Sequence, residues 1–329
     1  MKRQLQRTTG RVSFYLKGVI RDLMPYAPFE ARRRALFKRL AENPEGATDV
    51  FARVRSYNKM SPGAETPVMQ AIRSIPRKKS YYYFDLKIDA KHFGPSLRLG
   101  HRFGDVTKVP PTPTIVKSRP IREDNTNSVL MKLDRLRHFD MPPDERRFED
   151  KQPFAVWRGT QNNPARKLLA ERYASHVDHD IGFSESRSAH LNKRFLSVRD
   201  QLAFRYVVSI EGNDVATNLK WIMASKSICM MPRPRFETWF LEGQLQPDVH
   251  YVELRDDFGD LDDRIAYCEA NPEMMRSIIA NANRYVEQFK DESRERLASL
   301  LVLQKYFECT GQIEPEPFSP RLYSDDDWA

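Results

Sequence analysis

The sequence predicts an α/β protein with parallel strands, and three observations carry that reading. First, Tyr206 to Ile210 is a short β-rich apolar run that meets Glu211-Gly212-Asn213-Asp214. Val215, Leu219, Ile222 and Met223 then follow at helical spacing, and a second apolar run, Ile228 to Met231, comes after Ser225-Lys226-Ser227. Strand, turn, helix and strand in that order form a βαβ unit. Second, Phe154 to Trp157 ends at Arg158-Gly159-Thr160, and Asn162-Asn163-Pro164 supplies the N-cap and first-turn residues for a helix over Ala165–Tyr173. Third, 329 residues exceed what one ordinary core needs, so two domains are expected.

From Arg11 to about Ser56, apolar residues recur at helical spacing, with Pro25 and Pro28 as punctuation. Ser80 to Ile88 alternates like a strand. Gly104-Asp105-Val106 and Thr114-Ile115-Val116 read as strand ends beside proline-rich turns. The polar stretch Pro142 to Arg147 places a boundary near residue 150, giving a basic N-terminal domain over 1–150. The second domain, 151–310, adds a strand at His176 to Asp178, a short helix from Ser197 to Ala203 and a strand from Asp248 to Glu253. An almost wholly helical stretch over Leu261 to Phe307 follows, broken at Asn271-Pro272 and near Asp291. Residues 311–329 read as a loosely held, acidic, proline-rich tail.

Composition narrows the function. Residues 1–122 hold 26 Lys and Arg against 9 Asp and Glu, whereas the rest of the chain is net acidic. Clusters such as Arg32-Arg33-Arg34 and Arg77-Lys78-Lys79 suit an anionic polymer, an anionic membrane surface or water. No run of about 18 apolar residues and no secretory segment occurs, so a soluble cytoplasmic protein is expected. The three scattered cysteines, Cys229, Cys268 and Cys309, form no framework and are expected to be reduced.

Three blocks carry a family likeness: VVSIEGNDVATNLKWIMASKSICMMPRPRFETWF with HYVEL, VWRGT, and GDVTKVPPTPTIVKSRPI. Together they resemble the bacterial branch of glycosyltransferase family 90, whose members include lipopolysaccharide A proteins, fungal capsule-associated proteins and animal protein O-glucosyltransferases. The likeness implies a GT-B architecture of two Rossmann-like domains facing across a cleft, with a helical N-terminal extension and a helical C-terminal segment. It also implies inverting transfer from a UDP-sugar. An aspartate at the matching strand end is the general base of the family, followed by a Val-Pro pair. Here these are Asp105 and Val109-Pro110.

The residues can be read against that chemistry. Sugar transfer from a diphosphate needs fixed donors for the leaving group. Arg158 and Arg166 flank the turn containing Gly159 and Thr160. The backbone of Gly212, Asn213 and Asp214 is expected to open a helix onto the phosphates, with both glycines allowing close approach. Glu211 suits the ribose hydroxyls or a cap. Lys220 lies two residues beyond Asn218, which stands where animal members carry an arginine. Lys117 and Arg119 are candidates for anionic groups on donor or acceptor. Asp178-His179-Asp180 and the cluster Asp257, Asp260, Asp262, Asp263 offer carboxylates to a divalent cation, but the basic turns already supply the charge and no metal or other cofactor is expected.

The expected function is therefore transfer from a UDP-sugar to a hydroxyl of a lipopolysaccharide-core or related cell-envelope saccharide or glycolipid, by a cytoplasmic protein peripheral at the inner face of the membrane. Two alternatives stand: transfer to a protein Ser or Thr, and a basic nucleic-acid-binding protein. The second has no recognition motif, so no nucleic-acid partner is expected.

Overall fold

The computed structural model describes residues 2–64, 69–78, 80–122, 124–133, 135–186 and 188–324. It is a mixed α/β protein of two compact units, Met1–Leu136 with Asp291–Ala329, and Arg137–Lys290. The expected boundary near 150 thus falls inside the second unit, and the last helix, expected in the second domain, belongs to the first.

The first unit begins with helices α1 (Lys2–Leu23), α2 (Ala27–Glu42) and α3 (Thr48–Tyr57). Pro28 sits in the first turn of α2, where a missing N–H costs nothing. Strand β1 (Gln70–Ala71) pairs antiparallel with β2 (Arg98–Leu99). Strands β3 (His101–Arg102), β4 (Thr114–Val116) and β6 (Ser128–Leu130) form a parallel sheet in the order β3-β4-β6, with β5 (Ser118–Pro120) between the last two in sequence. The expected strand at Ser80 to Ile88 is instead helix α4 (Ser80–Ala90). Tyr82, Tyr83, Phe84 and Leu86 are buried, and so are Asp85, Lys87 and Asp89, so the segment is buried around its circumference and an alternating reading of it has no one face to report. α11 (Glu292–Cys309) packs against α3 and is buried from Ala298 to Cys309. Its Glu295 takes ion pairs from Arg53 and Lys132 inside this unit. The expected loose tail is packed where described: Phe318 and Leu322 are buried, and residues 325–329 lie outside the described residues.

Short α5 (Arg135–His138) spans the division between units. The second unit holds five parallel strands: β7 (Gln152–Thr160), β8 (Asp180–Glu185), β9 (Phe204–Val208), β10 (Ile228–Met231) and β12 (Val252–Glu253). Their spatial order is β12-β10-β9-β7-β8. β11 (Phe236–Thr238) follows β10 in sequence. Between strands come α6 (Pro164–Tyr173), α7 (Val198–Gln201) and α8 (Leu219–Met223), and α9 (Leu261–Ala270) and α10 (Pro272–Glu287) close the unit.

Trp157, Tyr206, Val208, Ile228 and Met230 join Leu169, Tyr173, Leu261 and Ile278 in one core. The alternate strand residues Val156, Val207 and Cys229 are equally buried, so the sheet is covered on both faces, as parallel sheets are. The strand expected at His176 to Asp178 starts later, at Asp180, and Val177 is exposed. The breaks expected at Asn271-Pro272 and Asp291 separate α9, α10 and α11. All three cysteines are free and buried.

Candidate active site

Chain order and sheet order together locate a site in the second unit. After β7 the chain moves outward to β8, then returns to place β9 on the other side of β7, so the order reverses between β7 and β9. Ligands of open α/β sheets sit at the carboxyl ends of the strands at such a reversal.

The two expected turns do meet there. Asn163 caps α6 by accepting from the Arg166 N–H, and its Nδ2 donates to the carbonyls of Glu211 and Gly212 at 2.6 and 2.8 Å. Arg166 donates to the Ile210 and Glu211 carbonyls at 3.0 and 3.1 Å, and burial pulls its pKa below the usual arginine value. Its guanidinium therefore ties the β9 turn to α6. Arg158 is also committed, to the carbonyls of Arg194, Trp157 and Asp180 and to the Asp180 carboxylate. Thr160 is the exposed last residue of β7.

The helix expected to open at Gly212 is absent. Asn218 reaches back to the Val208 carbonyl and Ser209 Oγ at 3.0 and 3.1 Å, so residues 211–218 form a pinned loop with Asn213 exposed and Asp214 buried, and α8 starts only at Leu219. The glycines serve packing. A Cβ on Gly159 would lie 2.5 Å from the Trp157 indole, and one on Gly212 would meet Asn162 and Arg166. Lys220 is fully buried and pairs at 2.5 Å with Glu242, a carboxylate that lines the strand-end cavity.

A cavity of ≈ 170 Å³ opens at these strand ends. Ser209, Ile210 and Glu211 line it from the segment after β9, Met231 to Phe236 from the end of β10 to the start of β11, and Asp256 and Phe258 from the segment after β12. Two arginines that the sequence reading passed over stand on its wall. Arg235 Nε donates to Glu211 Oε2 at 3.0 Å, while Glu211 Oε1 accepts the N–H groups of Arg235 and Phe236. Arg233 Nε donates to Glu253 at 2.7 Å. Each guanidinium is thus held by its inner nitrogen to a strand-end carboxylate, and among the described residues neither has a further partner for its outer nitrogens. Both side chains are largely exposed, 73% and 66%. The signal in the sequence was Pro232-Arg233-Pro234-Arg235 directly after an apolar strand, where each proline fixes its own φ and biases the residue before it toward extended backbone. Burial pushes the Glu211 carboxyl up from its ordinary value, against the hydrogen bonds of Arg235 and Phe236.

The acidic motifs do not gather as a carboxylate cage. Asp180 serves Arg158, whereas His179 Nε2 lies 2.9 Å and His176 Nε2 3.7 Å from Asp262. These three are close enough together to hold an ion. However, His179 Nδ1 accepts the Ala155 N–H and His176 Nδ1 accepts those of Asp178 and His179. That leaves the protons on Nε2, donating toward Asp262 rather than offering lone pairs to a metal.

In the first unit, Asp105 lies beyond β3 rather than at its end. Gly104 has φ 111°, in the region that favours glycine, and turns the chain so that Val106 is hydrogen-bonded to Ser118 Oγ at 3.1 Å. Lys117 donates to Asp105 Oδ1 at 2.7 Å; the lysine side chain is 2% exposed and the aspartate 34%. Arg119 is buried and donates to the carbonyls of Ser56, Tyr57 and Ser128, which ties α3 to β6 within the unit.

A parallel α/β unit with a strand-end cavity at its reversal point is the class of fold that seats phosphorylated ligands. Comparison with known proteins narrows the class. The profile described as glycosyl transferase family 90 matches residues 131–306. The O-glucosyltransferase LpsA of Dichelobacter nodosus is 42% identical over 321 residues, covering 96% of this chain and all of that protein. Uncharacterized protein 035R of Invertebrate iridescent virus 3 is 29% identical over 159 residues, which span 37% of this chain and 14% of the viral protein. The chain belongs to glycosyl transferase family 90, in its bacterial branch, and is a glycosyltransferase. Among the described residues, no helix is long and apolar enough to cross a membrane.

Proposed function

We propose that this protein is an inverting transferase of the GT-B class that moves a sugar from a UDP-sugar to a hydroxyl of a lipopolysaccharide-core or related cell-envelope saccharide. The observation that carries the donor assignment is the pair Arg233 and Arg235, which line one cavity while Glu253 and Glu211 fix their inner nitrogens. Two oriented guanidinium forks suit a diphosphate, and holding them before the ligand arrives removes part of the ordering cost of binding. They supply positive charge to the leaving group without a cation, and a metal-independent reaction follows from that. Asp105 takes the proton of the attacking hydroxyl, with Lys117 fixing its carboxylate. The name of the bacterial relative supports O-linked transfer of glucose, and the basic first unit supports work at an anionic envelope surface on the cytoplasmic side.

The test is a panel of nucleotide sugars scored by released UDP, with and without EDTA, alongside thermal shifts with UDP, UMP and uridine. UDP should stabilise the protein more than UMP, and Arg235→Lys, which keeps charge but loses the fork, should remove most of that difference. Equal stabilisation by UDP and uridine would end the diphosphate assignment, and turnover abolished by EDTA would end the metal-free mechanism.

A further inference from the structure

Helix α1 carries its apolar residues on the wrong side for a core. Val12, Leu16, Val19, Ile20 and Leu23 are 60, 59, 38, 52 and 75% exposed. Their spacing of four, three, one and three residues puts all five on one face of a helix. The opposite face is the one that packs. Gly18 is buried, and a Cβ there would meet the Phe84 ring at 2.6 Å; Phe14 and Tyr15 set their rings against Phe84 at 6.4 and 6.0 Å. The end of α1 is fixed as well. Asp22 accepts from Arg77 and from Tyr83 at 2.6 and 2.7 Å, and Lys91 donates to the Asp22 carbonyl at 2.8 Å. The helix is therefore docked on α4 by one side with an aliphatic stripe left outward.

We infer that this stripe is a membrane-docking surface, which lies in the interface of an anionic bilayer with α1 parallel to the membrane plane. The charge beside it selects that partner. Exposed Lys17 flanks the stripe, no acidic residue occurs between Gly10 and Arg21, and Asp22 is already neutralised by Arg77 and Lys87. A second copy of the same helix would bring like charges together, whereas anionic headgroups complement them. The stripe is wholly aliphatic, lacking the aromatic and arginine anchors that concentrate affinity in protein interfaces. This inference stands independently of the donor and the acceptor, because it rests on the outer face of one helix.

The test is co-sedimentation of the full chain with vesicles of phosphatidylcholine alone and with phosphatidylglycerol added, at low and high salt. The wild type should bind the anionic vesicles, weakly bind the neutral ones and release with salt; Leu16→Glu with Ile20→Glu should weaken anionic binding by about tenfold or more. Leu23→Gln is a milder second variant, expected to weaken binding less, and circular dichroism checks that each variant is folded. Equal binding to both vesicle types, or folded variants that bind like the wild type, would overturn the proposal. So would a wild-type dimer that Leu16→Glu turns into a monomer, since a second copy would then own the surface.

Discussion

The ammonium of Lys117 lies 2.7 Å from Asp105 Oδ1, and almost the whole lysine is buried while a third of the aspartate faces out. The lysine is thus a fixed arm and the carboxylate its exposed end. Asp105→Asn should lower kcat by about 10²–10⁴ with little change in UDP affinity. Lys117→Met should lower kcat less. Kinetics with UDP titrations separate the two; loss of UDP binding in Asp105→Asn would remove it from the role of base.

Gly159 and Gly212 looked alike in sequence but are confined by different neighbours. A methyl at Gly159 strikes the buried Trp157 ring, whereas one at Gly212 meets side-chain ends at 3.2 Å or more. Gly159→Ala should cost about 1–3 kcal/mol, the usual range for overpacking, and Gly212→Ala clearly less. Urea denaturation of both variants checks the order, and equal losses would contradict it.

Among the described residues, removing the Lys220 ammonium leaves Glu242 buried with the Thr238 N–H and hydroxyl as its remaining hydrogen-bond donors. Lys220→Met should therefore destabilise by about 3–5 kcal/mol. Below the unfolding transition its UDP affinity should match the wild type. A stable variant that has lost UDP would instead make Lys220 a ligand contact.

Lys305 gives a pH signature. Burial lowers its pKa from 10.5 to about 8, and its Nζ donates to the carbonyls of Asn58 and Leu322 at 2.8 Å. Below pH 8 both folded and unfolded chains hold the proton, and the penalty for burying the charge is fully present. Between about 8 and 10.5 the unfolded chain binds more protons, so this group makes stability rise with pH, by at most about 1.4 kcal/mol per unit. Comparing wild type with Lys305→Met from about pH 8 to 9.5, before ordinary tyrosines titrate, isolates the slope. A wild-type slope equal to that of the variant would refute it.

How far the sequence could be read depended on whether the deciding partner was local. The turn from β7 into α6 was legible because Asn163 and Pro164 cap the helix with their own neighbours. The breaks before α10 and α11 were legible for the same reason, since Pro272 and Asp291 act within one turn. α4 was misread because burial on every side erases the periodicity that separates helix from strand. Arg158, Arg166, Arg119 and Lys220 were chosen by residue type, yet each has its partners in segments distant in sequence or on backbone carbonyls, which no spacing reveals. Arg233 and Arg235 were visible as letters, but their roles depend on Glu253 and Glu211, some 20 and 24 residues away.

The placement of α11 sets an order of events during synthesis. The ribosome emits the first 136 residues without the helix that fills their interior, then a contiguous stretch, Arg137–Lys290, that contains every strand of its own sheet. The middle of the chain can mature while its predecessor waits, half-built, for residues 291–329 to emerge.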